Sequence, residues 1–267
     1  MELQRIAGSL DAAGVALFAV SYDSVETLAA FGAKHGITYP LLSDYGSRVI
    51  QLLGMLDDDL DRHHAEFGRG VRDDQRGVAY PAVFLLDRSG TVQRKRTHRN
   101  YRIRDTGTGL LEAIFSIPAP APVPTSVIDG EAVTVRGSLD SSTYRPYQQV
   151  QLTVVVSIRE GWHVYTTPIP EGYVPLGIEV MPFDGLEVGQ STWPPGRRFK
   201  VGGIDEEFCV LDGTVYARIP LTLSVASGRG DLSISTTVQY QACSETACLT
   251  PATARVNLQI GESPFPE

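Results

Sequence analysis

The sequence lacks the long apolar runs that would place it in a membrane. Its longest apolar stretches, residues 15–20 and 152–158, have the length of a single strand, whereas a membrane-spanning helix needs about 20 apolar residues. We therefore expect no transmembrane segment. The N-terminus also lacks the pattern of a signal peptide and opens directly into an amphipathic helix. The protein is therefore expected either to be cytoplasmic or to have a true start upstream of Met1.

Basic residues are scarcer than acidic ones. The 267 residues include 23 lysines and arginines against 31 aspartates and glutamates, for a net charge of −8. This balance argues against nucleic acid as a partner, because phosphate binding requires clustered cations. Most of the acidic excess follows residue 126, so a partner that docks on the second half is expected to be neutral or basic.

Cysteine is rare and confined to the end of the chain. The three cysteines are Cys209, Cys243 and Cys248, and no cysteine precedes them. Three are too few for a disulfide scaffold, and one of them must be unpaired or bridge to another chain. The pair His63–His64 has no further histidine or cysteine at ligand spacing, so we expect no metal and no other cofactor.

Proline is concentrated in one segment, residues 117–124, where it alternates with small residues. Such a run favours an extended polyproline conformation and cannot form a helix or an interior strand. Helical and strand patterns alternate before it, and only strand patterns follow it. We therefore predict a domain over 1–116, a linker over 117–125, a second domain over 126–262 and a short tail over 263–267.

The first domain shows the order α-β-α-(α)-β-β-α. Helices are predicted from residue 3 to Gly14, from a capping box at 23–26 to about His35, and around residues 47–53 and 108–115. Buried strands are predicted over 15–20 and 82–86, and a hairpin turn at 87–90 leads into 91–96. Residues 55–78 are polar, with an acidic run at 57–59, and are expected to form an exposed surface insertion.

Three segments of this domain, residues 14–23, 31–44 and 80–87, resemble the AhpC/TSA peroxiredoxin-like (redoxin) family. The resemblance implies an α/β thioredoxin-like domain in which Pro81 would be the cis-proline that faces the catalytic cysteine. In that family the cysteine follows a central strand and opens the first helix, whereas this chain begins inside that helix. We therefore hypothesise an N-terminally truncated domain that lacks its first strand and cannot itself catalyse thiol peroxidase chemistry.

After the linker, seven segments alternate in polarity or are rich in β-branched residues, with Gly, Pro, Asp and Ser turns between them. Seven short strands without a convincing helix predict an all-β immunoglobulin-like sandwich. Trp162 and Trp193 are expected to anchor its core and edge, and His163 is expected to be structural. The predicted strands are residues 131–137, 148–159, 162–166, 178–181, 214–225, 231–242 and 255–260.

Cys243 and Cys248 flank a predicted four-residue turn. Alternation along the preceding strand places Cys243 on the face turned away from the core, where the bridge would be exposed. Opposed residues in a hairpin are close enough for a disulfide. A bridge that closes so short a loop gains little unfolded-state entropy, and an exposed bridge exchanges readily. The residues alone give a passive disulfide or two free thiols the same weight as a redox couple.

The segment from Tyr240 to Pro251, with its Tyr-Gln-x-Cys start, resembles the active-site hairpin of the N-terminal domain of the DsbD thiol:disulfide interchange proteins. Residues 161–165 resemble that family's early core strand, residues 205–208 resemble its cap loop, and the resemblance spans about 126–262. It implies a carrier that accepts electrons from a thioredoxin-like donor and passes them to periplasmic disulfide proteins. The implied site comprises the redox pair Cys243 and Cys248, the cap residue Phe208, and the cap or partner-binding residues Glu206, Glu207, Tyr240 and Gln241.

From these resemblances we predict a thiol:disulfide oxidoreductase module fused to a peroxiredoxin-like domain, with a thioredoxin-like redox partner in cis or in trans. Cys243 is predicted to attack and Cys248 to resolve, with swapped roles as the alternative. A peroxiredoxin-type antioxidant whose peroxidatic cysteine lies upstream of Met1 stays open, as does a non-catalytic binding module with an inert disulfide. If the true start is missing, we expect a periplasmic or extracytoplasmic location.

Overall fold

The computed structural model describes residues 2–65, 68–117, 124–200 and 207–263. The chain divides into two compact units, residues 1–120 and 121–267. The first unit mixes helices and strands, and the second consists of strands.

The first unit has five helices and five strands within its described residues. A small core forms where Ile6 and Leu10 of the first helix pack on Leu110, Leu111 and Ile114 of the last one. The first two strands pair in parallel and the next two pair antiparallel. In chain order the elements are α1 Glu2–Ala12, β1 Ala19–Ser21, α2 Val25–His35, β2 Leu41–Ser43, α3 Arg48–Leu52, α4 Leu60–Ala65, a 3-10 turn Asp73–Gln75, β3 Ala82–Leu86, β4 Val92–Thr97, β5 Arg104–Asp105 and α5 Gly107–Ala113.

The helix boundaries follow from capping residues, although α2 begins one residue later than the capping box predicted at 23–26. In α2 the N-cap is Ser24, whose hydroxyl accepts the backbone N–H of Thr27. The helix ends at Gly36, which adopts the left-handed conformation (φ 60°) that glycine tolerates best. Thr106 caps α5 in the same way by accepting the N–H of Gly109.

The two predicted buried strands of this unit are less buried than their apolar sequences indicated. Strand β1 begins only at Ala19, and Phe18 and Val20 are 56% and 52% exposed. Strand β3 has the predicted bounds, but Leu86 at its end is 52% exposed. The physical reason is that, among the described residues, β1 pairs with β2 alone and β3 with β4 alone, so neither ribbon is covered as a central strand would be.

The prediction of an exposed insertion at 55–78 is wrong for three polar residues of its first half, whereas Asp58 and Asp59 are exposed as expected. Asp57, His63 and His64 are buried, and His63 Nδ1 lies 3.3 Å from a carboxylate oxygen of Asp57. Nearby, the Tyr80 hydroxyl donates to Asp58 at 2.7 Å, and burial raises the pKa of Tyr80. Polar side chains can be buried when they satisfy one another's hydrogen bonds, and hydropathy alone does not reveal such pairing.

In the second unit every one of the seven predicted segments overlaps a strand. Six further strands were not predicted, and most of them are short. The strands are β6 Thr125–Asp129, β7 Val133–Leu139, β8 Thr143–Tyr144, β9 Gln148–Ile158, β10 His163–Thr166, β11 Gly177–Val180, β12 Leu186–Val188, β13 Arg197–Lys200, β14 Glu207–Leu211, β15 Thr214–Leu223, β16 Leu232–Tyr240, β17 Ala242–Cys243 and β18 Ala252–Glu262.

Two of its sheets share one hydrophobic core. One sheet has the order β12-β15-β9-β7-β6 and the other β11-β16-β18-β8, and their inward side chains form a single buried cluster. The sheets approach closely at Gly137, where a Cβ atom would lie 2.3 Å from Cγ1 of Val256. Trp162 and Trp193 are half-buried against this core, in agreement with the anchoring role predicted for them.

Candidate functional site: a disulfide hairpin over an aromatic cluster

The two cysteines close the hairpin that follows β16. Cys243 at the end of β17 lies opposite Cys248 in an antiparallel bridge, and their sulfurs are bonded at 2.04 Å. The turn between them is held by Ser244, whose N–H donates to the Ala247 carbonyl at 2.7 Å. The predicted hairpin geometry is therefore confirmed, and the pair is a disulfide within this chain.

A third sheet, in the order β13-β14-β10-β17, positions this hairpin. One of its faces belongs to the main core through Val164, Leu211 and Ala242. Because side chains alternate along a strand, their neighbours lie on the opposite face. That opposite face carries a second buried cluster formed by Tyr165, Phe208, Val210 and Cys243.

Cys243 therefore faces away from the main core, as predicted. The bridge was also predicted to be exposed, but only one of its two cysteines is. Cys243 is 1% exposed because the second cluster covers it. Cys248, in contrast, is exposed. The disulfide is thus asymmetric, with one cysteine open to solvent and the other buried.

Three aromatic rings pack around the buried cysteine. Tyr165 lies 5.1 Å from Tyr173 and 5.4 Å from Phe208 between ring centroids, and Tyr173 lies 5.0 Å from Phe208. The Tyr165 hydroxyl is 3.7 Å from the Cys248 sulfur, within reach of a weak O–H···S hydrogen bond. Burial, and secondarily the nearby Tyr173, raise the pKa of Tyr165, so its hydroxyl stays protonated and can donate.

The described residues that were predicted to form the cap lie on opposite faces of β14. Phe208 is a strand residue of β14, 1% exposed, in the same cluster as Cys243. Glu207 is exposed on the other face of the strand, where a carboxylate oxygen accepts from Arg198 at 3.3 Å. Glu206 lies outside the described residues. The described part of this segment therefore places Phe208, but not Glu207, on the face that carries Cys243.

The two residues that precede the hairpin have structural contacts. Tyr240 is buried in the main core. Gln241 joins two segments, because its Oε1 accepts the N–H of Val174 at 3.3 Å and its Nε2 donates to the Leu249 carbonyl at 3.2 Å. Gln241 thereby fixes both sides of the hairpin with respect to the segment that carries Tyr173.

Cys209 is separated from the disulfide by the strand that carries it. It pairs with Thr166 and Arg198 across the sheet, on the face opposite Phe208. It is half-buried and not disulfide-bonded. Its sulfur packs at Gly196, where a Cβ atom would lie only 2.5 Å from it. Cys209 thus packs as a small apolar side chain.

The prediction that Pro81 is a cis-proline is wrong. The cis peptide bond among the described residues is Thr167–Pro168, so the Tyr80–Pro81 bond is trans. The peptide bond before a proline favours the trans isomer by about 0.5–1 kcal/mol, unless the surrounding structure selects the cis isomer. The residue that would face Pro81 in the family is a cysteine, and no cysteine precedes Cys209.

Sequence reasoning missed Tyr165 and Tyr173 as members of the site and treated His163 as structural. His163 pairs directly with Cys243 across β10 and β17, is 4% exposed, and its Nε2 has no hydrogen-bond partner among the described residues. The available signal was the period-two spacing of His163 and Tyr165, which puts both on one face of β10. Which strand lies beside that face was not visible from the sequence.

The described residues contain no group of three or more His, Cys, Asp or Glu side chains that could hold a metal ion. No helix in that part of the chain is long and apolar enough to span a membrane.

Comparisons with known proteins match one family on each side of the proline-rich segment. Residues 1–95 match the AhpC/TSA family, and residues 132–260 match the family described as thiol:disulfide interchange protein DsbD, N-terminal. No curated protein matches the chain significantly.

Two solved structures are similar to parts of the chain. The N-terminal periplasmic domain of ScsB from Proteus mirabilis has 22% identity and a TM-score of 0.38, over 53% of this chain and 52% of that one. The N-terminal domain of DsbD from Neisseria meningitidis, in the reduced form, has 19% identity and a TM-score of 0.30, over 41% of this chain and 77% of that one. The chain thus spans about half the length of the ScsB domain. It joins a segment similar to the AhpC/TSA family to a segment similar to the N-terminal domain of DsbD.

Proposed function

We propose that the second unit is a thiol:disulfide carrier whose Cys243–Cys248 pair exchanges electrons with a thioredoxin-like partner. The observation that carries this proposal is the asymmetry of the disulfide. A structural bridge gains nothing from one exposed and one covered cysteine, whereas a carrier needs one sulfur that a partner can reach and one that is shielded until the partner has bound. The family match over residues 132–260 supports the same chemistry.

We propose that Cys248, the exposed cysteine, bonds to the partner, which is the alternative to the roles first favoured from the sequence. A partner thiolate attacks Cys248 Sγ, the Cys243–Cys248 bond breaks, and Cys243 leaves as a thiolate. A second partner thiol then attacks the mixed disulfide, so that the partner is oxidised and this pair is reduced by two electrons. In the reverse direction the Cys248 thiolate attacks the disulfide of a target.

Tyr165 supports this assignment. Its protonated hydroxyl can donate a hydrogen bond to the thiolate that forms at Cys248, and such a bond favours the charged form of a sulfur. Phe208, with Tyr165 and Tyr173, is proposed to cover Cys243 until a partner docks. In this proposal Gln241 borders the docking surface, while Tyr240 supports the hairpin from the core.

For the first unit we propose a thioredoxin-like domain over about 1–116 that is tethered to the carrier. The linker over 117–125 would hold the second domain, 126–262, at an effective concentration in the mM range. A formed disulfide is favoured in oxidising compartments, so we propose an extracytoplasmic location. The match over residues 1–95 also supports a second function, a peroxide-reducing antioxidant, which an assay of peroxide turnover would test.

The exchange function is tested on the full chain with Cys209→Ser, which leaves only the two hairpin thiols. We expect a reduction potential well above about −300 mV, since inert structural disulfides lie below that value. We also expect Cys243→Ser to form a mixed disulfide with a thioredoxin-like protein through Cys248, whereas Cys248→Ser, the matched variant, forms little. A potential below about −300 mV, or equal trapping by both variants, would contradict the proposal.

A further inference from the structure

We propose that His163 accepts the proton of the Cys243 thiol when Cys243 attacks a mixed disulfide at Cys248. This inference deepens the proposed function and rests on it. The exchange cycle requires a base at this point, because the thiolate and not the thiol is the nucleophile.

The backbone register places His163 beside the residue that carries the buried sulfur. His163 of β10 lies directly opposite Cys243 of β17, and Cys243 in turn lies opposite Cys248, so the three residues form one row across the sheet. Directly opposed residues have Cβ atoms about 4.5–5.5 Å apart and project to the same face. A histidine ring in this position can reach the thiol of its cross-strand neighbour.

The unpaired nitrogen of His163 gives the second observation. Among the residues that the structure describes, its Nε2 is buried and has no hydrogen-bond partner while the disulfide is closed. Buried polar atoms without a partner are rare and call for an explanation. A disulfide sulfur has no hydrogen to donate, whereas reduction gives Cys243 an S–H group that can donate to Nε2. The partner that His163 lacks is therefore the one that reduction creates.

The surroundings keep the imidazole neutral and give it contact with a cavity. Burial, and secondarily the charge of Arg197, lower the pKa of His163, with Asp212 opposing them. The ring packs 4.6 Å from Phe199 and 5.7 Å from Tyr165, its titratable neighbour on the same strand. It also borders a cavity of about 400 Å³, through which a proton can pass to water. The charged residues that line this cavity with His163 are Arg159, Glu160, Arg197, Asp212 and Glu245.

In the proposed step, each bond that forms is matched by one that breaks. In the mixed disulfide between Cys248 and a partner, the Cys243 S–H proton moves to Nε2 of His163. The Cys243 sulfur then bonds to Cys248 Sγ, and the bond from Cys248 to the partner breaks, with its electron pair leaving on the partner sulfur as a thiolate. The imidazolium returns its proton to water or to that thiolate. No further oxidant or reductant is needed.

The test uses the reduced full chain with Cys209→Ser and the aromatic disulfide dithiobis-nitrobenzoate, whose coloured thiolate is released twice. Attack by Cys248 releases the first, and resolution by Cys243 releases the second. We expect His163→Gln and His163→Phe to slow the second release about tenfold or more near neutral pH, as loss of a general base does, and to leave the first within about twofold. The difference should shrink as the pH is raised, because the Cys243 thiol then ionises without the help of a base.

His64→Gln provides a matched control, since it replaces a buried histidine of the first unit. Equal second-phase rates and pH profiles in wild type and both His163 variants would overturn the role of His163 while leaving the exchange function intact. Absence of a second release in the wild type would instead contradict the exchange function itself. Should both variants fail to fold, the wild type still decides: the nitrogen resonance of His163 Nε2 must shift on reduction of the disulfide, and an unchanged resonance would overturn the proposal.

Discussion

The two faces of the sheet β13-β14-β10-β17 differ in what they contribute to the second unit. Val164, Leu211 and Ala242 on one face are part of a large apolar core. The other face carries a small cluster in which a cysteine, a phenylalanine and a tyrosine hydroxyl meet. The same short strands therefore provide stability on one side and reactive groups on the other, because their side chains alternate.

A redox pair can therefore have one cysteine fixed in a sheet and the other accessible to solvent. Cys243 is fixed to the sheet through its pairing with β10, while Cys248 lies beyond the turn and is exposed. Substitutions on the core face should then alter the free energy of unfolding without altering the thiol chemistry. Substitutions on the site face should alter the chemistry.

Phe208→Ala is expected to have the largest effect, because it should change both the free energy of unfolding and the reactivity of Cys243. Removing a fully buried phenylalanine side chain costs about 3–5 kcal/mol of unfolding free energy, and it also uncovers Cys243 in the reduced protein. We expect iodoacetamide to modify Cys243 several-fold faster, measured by peptide mass spectrometry in the Cys209→Ser background. An unchanged modification rate would show that Phe208 does not shield the buried thiol.

Leu211→Ala tests the core face on the same strand. Leu211 is 5% exposed, and truncation of a buried leucine costs about 2–5 kcal/mol. Urea unfolding can be followed by tryptophan fluorescence, since Trp162 and Trp193 both lie in the second unit and no other tryptophan occurs. The reduction potential of Cys243–Cys248 should stay at the wild-type value. A potential that moves with Leu211→Ala as far as with Phe208→Ala would remove the distinction between the faces.

The sequence allowed the orientation of Cys243 to be predicted because alternation is a local property. Val238, Tyr240 and Ala242 are apolar and buried in the core, so Cys243 had to lie on the other face. Its burial depended on residues far away in the chain. Tyr165 reaches Cys248 across 83 positions of sequence, and such pairings leave no periodic trace.

The elements that were missed share a physical cause. Strand β13, Arg197–Lys200, is short and mostly charged, so its pattern resembles a loop, and it is held by its partner β14 and not by its own propensity. In the first unit Phe18 and Val20 are apolar but exposed, because apolar runs predict burial only when a neighbouring layer covers them. Asp57 and His63 show the converse, since they are polar and buried as a pair.

Tyr165→Phe should produce the smallest effect, and that effect should be confined to the pKa of the Cys248 thiol. The change removes the hydroxyl near Cys248 Sγ and keeps the ring in its packing with Phe208. A hydrogen bond to the thiolate favours the charged form, so its loss should raise the pKa of the Cys248 thiol, by up to about 1 unit for a bond worth about 0.5–1.5 kcal/mol. The pKa is read from the alkylation rate of reduced Cys248 as a function of pH.

Because the pKa of Tyr165 is raised, the hydroxyl is protonated throughout the range in which Cys248 titrates, and the difference should be a parallel displacement of the whole profile. Tyr173→Phe is the matched control, since Tyr173 belongs to the same aromatic cluster. Equal displacement by both variants would mean that the cluster acts through burial alone. An unshifted profile for Tyr165→Phe would mean that the hydroxyl makes no difference to the exposed sulfur, leaving exposure as the feature that separates Cys248 from Cys243.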